Sequence, residues 1–311
     1  VWLVDATYGQ LASTLIVDAL LHPELHKERL DAFRANTDMA ARRAPQSSSP
    51  ALGTGVAYIP IFGMLAPRAS MISEQSGPTG TAIDRSMHQF RTAVANPDVG
   101  AIVMDIASPG GQSGLVYEFA QLIRQGAQIK PVFSIANEHA LSGAYWLLTA
   151  ATDVSVTPSG ATGSVGAYMM HIDQSKLLEK NGETVTLIQY GENKVDGNPY
   201  APLSDSAREH LMHLVSTAGR MFEQGVADNL GIDVARVHDT FGQGRVFSAQ
   251  ESLKRGLVHG VASFDDVMNL AAAAAATKRK TNASASSVRN SGGMSASRAR
   301  LELNRSSVRQ A

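Results

Sequence analysis

The sequence predicts an α/β protein, and three observations carry that expectation. Short runs rich in β-branched and apolar residues recur between residues 56 and 190, stretches of helical apolar period lie between them, and no low-complexity segment interrupts residues 56–268. Several of the runs are apolar on consecutive positions, the pattern of strands in a sheet covered by helices.

Taken in order, residues 1–50 are expected to form a helical arm and a linker. Leu15, Ile16, Ala19 and Leu20 repeat at helical spacing, a charged stretch follows, and "APQSSSPALGTG" closes the region as a loop. Strands are predicted over 56–63, 101–107, 131–137, 153–158, 165–172 and 184–190. One helix is predicted over 113–124, where Leu115, Val116, Phe119, Leu122 and Ile123 form a single stripe. Another opens at the capping box Ser206-x-x-Glu209 and runs on through Leu211, Leu214, Val215, Ala218 and Phe222. Residues 51–270 therefore form the expected folded domain. Residues 271–311 start with six alanines and continue as "KRKTNASASSVRNSGGMSASRAR", too poor in large apolar residues for a core, so a disordered tail is expected there.

Composition narrows the chemistry. The chain has 311 residues, 44% of them apolar, and no cysteine, which excludes disulfides, thiolate metal sites and cysteine nucleophiles. HExxH, P-loop and dinucleotide glycine motifs are absent, so no metal or other cofactor is expected. No apolar run approaches the roughly 18 residues of a membrane span. The first residues lack the basic lead and unbroken apolar core of a signal peptide, although residue 1 is Val and a removed leader stays open. A soluble, cytoplasmic protein is expected. The net charge of −1 hides an asymmetry, because residues 278–311 hold eight Lys or Arg against the single acid Glu302.

Three short motifs carry chemistry. "DIASPGG", residues 105–111, follows an apolar strand and precedes a helix. Gly110 and Gly111 can bring bare N–H groups close to a developing negative charge, or serve merely as a strand-to-helix turn. Ser142 of "ALSGAYW" lies where a strand gives way to a helix. It is either a nucleophile with little cover, with the Gly143 amide as a second oxyanion donor, or an ordinary N-cap. "NKVDGNPY", residues 193–200, offers Lys194 in a turn after a strand. A lysine serves as general base only where burial brings its pKa from about 10.4 towards 7. Of the eight lysines, Lys27, Lys278 and Lys280 lie outside the folded region, Lys176 and Lys180 form a solvated helical pair, Lys254 adjoins Arg255 and Lys130 starts a strand. Lys194 is the best placed, against the alternative of a surface turn lysine.

These motifs, in this order, resemble the protease IV or signal peptide peptidase A family of serine peptidases, a branch of the Clp protease and crotonase superfamily. The resemblance spans about residues 56–268 and rests on "SPGG" at 108–111, "LSGAYW" around Ser142, "TGSVG" at 162–166, "KVDGNPY" at 194–200 and "GRVFSAQESLKRGLV" at 244–258. It implies a Clp/crotonase-like fold, Ser142 as nucleophile and Lys194 as base. It also implies that Ser164 orients the lysine amine and that Gly110 or Gly111 joins Gly143 in the oxyanion hole. "NKVDGNPY" and the extra N-terminal region are similar to the phage-encoded prohead proteases. That branch implies cleavage of scaffold and of portal- or capsid-associated proteins inside an assembling head, by a homo-oligomeric ring that needs no nucleic acid. In several family members the serine and the lysine come from adjacent protomers. Two positions depart from the pattern: His259 stands where an acid is common, and Asp196 lies two residues from Lys194. Four alternatives stay open at this stage: a cellular peptidase degrading cleaved signal peptides, a Ser-His peptidase using His171, a crotonase-type acyl-CoA enzyme, and an inactive capsid component.

Overall fold

The computed structural model describes residues 2–4, 55–68, 80–241 and 243–278, with the backbone alone at residues 2–4. The rest of the expected arm and linker, and the tail beyond 278, lie outside the described residues. In chain order the elements begin with β1 (Trp2–Val4), β2 (Val56–Phe62), β3 (Met64–Ala66), β4 (Gly80–Ala82), α1 (Ile83–Ala95), β5 (Ala101–Ser108) and β6 (Gly110–Gln112). They continue with α2 (Val116–Ala127), β7 (Val132–Leu141), α3 (Gly143–Thr149), β8 (Asp153–Val156), β9 (Ala161–Gly163) and α4 (Ser175–Lys180). The last are α5 (Asp205–Leu230), α6 (Val234–Thr240), β10 (Val246–Ser248), α7 (Ala249–Arg255), β11 (Gly260–Val261) and α8 (264–278).

The main sheet is built on three parallel strands, β2, β5 and β7, with β5 in the middle. Strand β7 forks at its far edge. Its first half pairs with β8, while His139–Leu141 pair with β9, which in turn pairs with β10. Pro60 is tolerated because β2 is an edge strand of this sheet, where a missing N–H breaks no central ladder. A second sheet, ordered β1-β6-β3-β4, stands beside the first.

Alternation along the strands builds two apolar layers. Ile59, Ile61, Ile102, Met104 and Ile106 belong to the larger core with α1, α2, α3 and the distal part of α5. Val56, Ala101, Val103 and Ile135 face the other way, against Val267, Ala271 and Ala275 of α8. The expected tail thus begins as ordered helix, since α8 runs through residue 278 and buries Ala271 and Ala275 completely. Composition misjudged this segment because small side chains suffice where a helix lies close to a sheet. A Cβ on Gly100 would stand 2.7 Å from the Ala275 backbone.

Three further expectations need correction. The second long helix starts earlier than its capping box suggested: Ser204 is the N-cap, and its hydroxyl accepts the Ala207 N–H at 3.1 Å. No strand forms over 165–172, where only an isolated bridge occurs at Tyr168. Residues 184–190 are also not a strand and are exposed throughout, Ile188 and Tyr190 almost fully. Strand-like composition reports fitness to pack against a partner surface, and among the described residues this segment meets none.

Candidate active site

Ser142 is the single residue between β7 and α3, and its backbone is strained there. Its φ of 52° and ψ of −125° lie where non-glycine residues pay about 1–3 kcal/mol. The turn is held from both sides, since the Ser142 N–H donates to the Gly163 carbonyl at 2.9 Å and the Ser142 carbonyl accepts from Trp146 N–H at 3.1 Å. Its side chain makes no cap, which removes the N-cap alternative. Rather than having little cover, Ser142 is fully buried, and Oγ has no hydrogen-bond partner among the described residues. An orphaned hydroxyl on a strained strand-to-helix turn is a cost to the fold and an arrangement suited to a nucleophile.

Packing sustains that strain. Every residue of α3 is buried. The Tyr145 hydroxyl donates to the Leu257 carbonyl at 2.9 Å, and burial pushes its pKa well up, so it stays a donor. The Trp146 ring stacks on Phe222 of α5, with centroids 5.1 Å apart. Helix α5 can come this close because residue 225 is glycine; a Cβ there would stand 2.2 Å from Trp146 Nε1. The "GRVFSAQESLKRGLV" stretch becomes β10, α7 and the turn after them. It grips the site through Leu257 and through Ser252, whose Oγ accepts from Thr162 Oγ1 at 2.8 Å.

The "SPGG" stretch forms the end of β5 and all of β6, which packs against α3. Gly110 has φ 95°, and its N–H already donates to Ser108 Oγ at 3.2 Å, while that hydroxyl donates to the Gly63 carbonyl at 2.7 Å. Gly111 has no room for a side chain, because a Cβ would stand 2.1 Å from the Leu65 carbonyl oxygen. Gly143 opens α3, where the first amides of a helix lack intrahelical acceptors. Ser164 follows β9 as Ser142 follows β7, and the pairing of Leu141 with Gly163 brings the two turns side by side. Ser164 is buried, has φ 55° and donates its N–H to the Arg245 carbonyl at 2.7 Å.

Lys194 is not part of this assembly within one chain. It is exposed, and its N–H closes a local turn on the Gly191 carbonyl at 3.2 Å. Its segment is tied instead to residues 171–174: Gln174 N–H donates to the Pro199 carbonyl at 2.7 Å, and His171 Nε2 meets the Asn198 carbonyl at 2.8 Å. A carbonyl can only accept, so that His171 nitrogen carries its proton and is not a base towards Ser142. Asp196 and His259 are exposed. A buried lysine with a pKa lowered by desolvation does exist, but it is Lys130, whose Nζ donates to the Ala93 and Asn96 carbonyls at the end of α1. It precedes β7 while Ser142 follows it, roughly 30 Å away at about 3.3 Å per strand residue.

A buried polar cluster went unread in the sequence. Tyr58 of β2 donates to Asp105 Oδ2 of β5 at 2.8 Å. Burial holds the Asp105 carboxyl above its usual range, opposed by hydrogen bonds from Tyr58 and Asn137, while burial and then Asp105 raise the tyrosine. An acid in the otherwise apolar run "AIVMDIA" was the available signal. Among the described residues no group of three or more His, Asp or Glu could hold a metal ion, and no helix is long and apolar enough to cross a membrane.

Residues 124–278 match the model of Peptidase family S49. The chain is 33% identical over 266 residues to Capsid assembly protease C of Escherichia phage lambda, which covers 85% of this chain and 59% of that protein. It is 32% identical over 220 residues to Head-tail preconnector protein GP5 of Enterobacteria phage P21, covering 71% and 43%. Protease 4 of Salmonella typhi is 28% identical over 217 residues, covering 68% and 34%. The chain thus spans about half the length of the phage relatives it matches.

Proposed function

Because this chain carries the domain of peptidase family S49 over residues 124–278 and so belongs to that family, we propose that it is a serine endopeptidase with Ser142 as nucleophile and Lys194 of a neighbouring protomer as general base. The observation that carries this reading is the Ser142 turn: strained, gripped by packing, and bearing a hydroxyl that serves no structural bond.

The exposure of Lys194 supports a base supplied in trans. Its segment presents Ile188 and Tyr190 almost fully to solvent, a surface that burial against a second copy would cover. The same burial would desolvate the amine and favour its neutral form. Ser164, beside Ser142, would accept or donate a hydrogen bond that orients the amine.

In the reaction the neutral Lys194 amine takes the Ser142 hydroxyl proton as Oγ attacks the peptide carbonyl. The oxyanion receives hydrogen bonds from backbone N–H groups, with Gly111 and Gly143 the preferred donors because the Gly110 amide is engaged by Ser108. The lysine ammonium then protonates the departing amine, leaving an acyl-enzyme. A water then gives a proton to the lysine and adds to the acyl carbonyl; the bond to Ser142 Oγ breaks, the ammonium returns the proton to Oγ, and the acid leaves. The two phage relatives, one named a capsid assembly protease and the other a head-tail preconnector protein, support a role in capsid maturation, with scaffold and portal- or capsid-associated proteins as substrates.

The test mixes two dead variants. Ser142→Ala and Lys194→Ala should each fail to cleave a flexible protein substrate. Co-assembled in equal amounts, they should recover about a quarter of wild-type activity, the share of interfaces that pair an intact serine with an intact lysine. A silent mixture would place the lysine in the same chain as its serine. Turnover by Lys194→Ala alone would remove the dyad.

A further inference from the structure

We infer that β1 occupies the strand edge along which a peptide substrate must lie, so that the chain's own N-terminal strand competes with substrate for β6; this rests on the peptidase reading above. Strand β6 carries Gly110 and Gly111, next to the nucleophile helix α3. A peptide whose scissile carbonyl is held there runs extended beside β6 and gains main-chain hydrogen bonds by strand addition. Only two edges of β6 exist. One belongs permanently to β3, through the parallel pairing of Leu65 with Gly111 and the close approach that excludes any Cβ at Gly111. The other is filled by β1, antiparallel, with Trp2 opposite Gln112, Leu3 opposite Gly111 and Val4 opposite Gly110.

Strand β1 is terminal in the order β1-β6-β3-β4, so it can leave without breaking any other pairing. Among the described residues its hold on β6 is the three pairs of Trp2–Val4, which a longer extended peptide with further contacts outcompetes. The full burial of Ser142 fits a site that is closed until something is displaced. The arrangement gives the enzyme a built-in threshold: β1 already pairs with all of Gly110–Gln112, so a substrate gains entry only where its own pairing there, together with contacts beyond β6, outweighs those three residue pairs, and short or folded ones do not.

Proline scanning of β1 in the full chain tests this. In an antiparallel ladder, hydrogen-bonded and non-bonded positions alternate, so of Leu3→Pro and Val4→Pro one removes a ladder bond and the other acts as its control. With Ser142→Ala also present, the effective proline should speed amide exchange at Gly110–Gln112. It should also tighten binding of an extended, labelled eight-residue apolar peptide about tenfold, the worth of one net ladder hydrogen bond. An unlabelled peptide of residues 1–8 should reverse the gain. With Ser142 intact, the same proline should lower KM and leave kcat nearly unchanged. Equal peptide affinity in all chains overturns the competition, whatever the turnover. Tighter binding without any cleavage by the wild-type chain upholds it and removes the peptidase reading instead.

Discussion

The turn at Ser142 and the segment around Lys194 carry the two halves of one proposed site and could hardly be built more differently. The serine sits at the end of a ten-residue central strand, backed by a helix with no exposed residue and clamped by Gly163, Phe222 and Leu257. The lysine sits in a run of turns exposed from 181 to 194 and bonded mainly to itself. A strained nucleophile needs surroundings that over-determine its geometry, and those come from the chain's own core. A base that must lose its water but approach from outside can have its surroundings completed by another molecule. One region is finished by folding; the other, under the proposal above, is finished by assembly.

Perturbing the two regions should therefore give opposite signatures. The largest effect is expected from Ile188→Asp combined with Tyr190→Asp. Both positions are nearly fully exposed, so the thermal midpoint of the protomer should hold while assembly in sedimentation and peptide cleavage are both lost. A double variant that still assembles and cleaves would break the comparison. Next, Gly225→Ala drives a Cβ into the Trp146 ring, and denaturant titration should show a loss of about 3 kcal/mol despite the better helix propensity of alanine.

Smaller and opposite in sign, Ser142→Gly should stabilise the chain by about 1 kcal/mol, because it relieves a positive φ and deletes an unpartnered buried hydroxyl. It should also abolish cleavage, which would mark the strain as functional. The smallest effect concerns Asp105. Burial raises its folded pKa above the ordinary 3.8, so its contribution to stability is full below that value and is lost as pH rises through the raised one. Asp105→Asn should flatten the fall in stability as pH rises above 3.8, read from denaturant midpoints, and leave stability at neutral pH equal or higher. A steeper profile in the variant would contradict the sign.

How much of this was legible depended on how local the cause was. The strands at 56–62, 101–108 and 132–141 announced themselves as consecutive apolar runs, and the stripe of α2 left Val116, Phe119 and Ile123 buried as its spacing required. Ser142, Gly110, Gly111, Gly143 and Ser164 were found as motif residues, and the β7–β9 pairing brings the turns of Ser142 and Ser164 together. The segment 184–190 was misread because the pattern that marks a strand does not say whether its partner lies in the same chain. The Ser206-x-x-Glu209 box was outcompeted by Ser204, two residues earlier, a choice set by where the chain enters the helix.

By itself the sequence determined the α/β class and the order of the chemical motifs, because periodicity and glycine placement act over a few residues; Ser142 stood out as a nucleophile candidate only through the family resemblance those motifs carry. The tertiary structure alone decided that Ser142 is buried and strained, that the Gly110 amide is spent on Ser108, that among the described residues Lys130 is buried while Lys194 is exposed, and that β1 lies along β6. Each of these depends on which distant segments meet. Burial, strain and edge occupancy are properties of contacts between residues far apart in the chain, and local spacing holds no record of them.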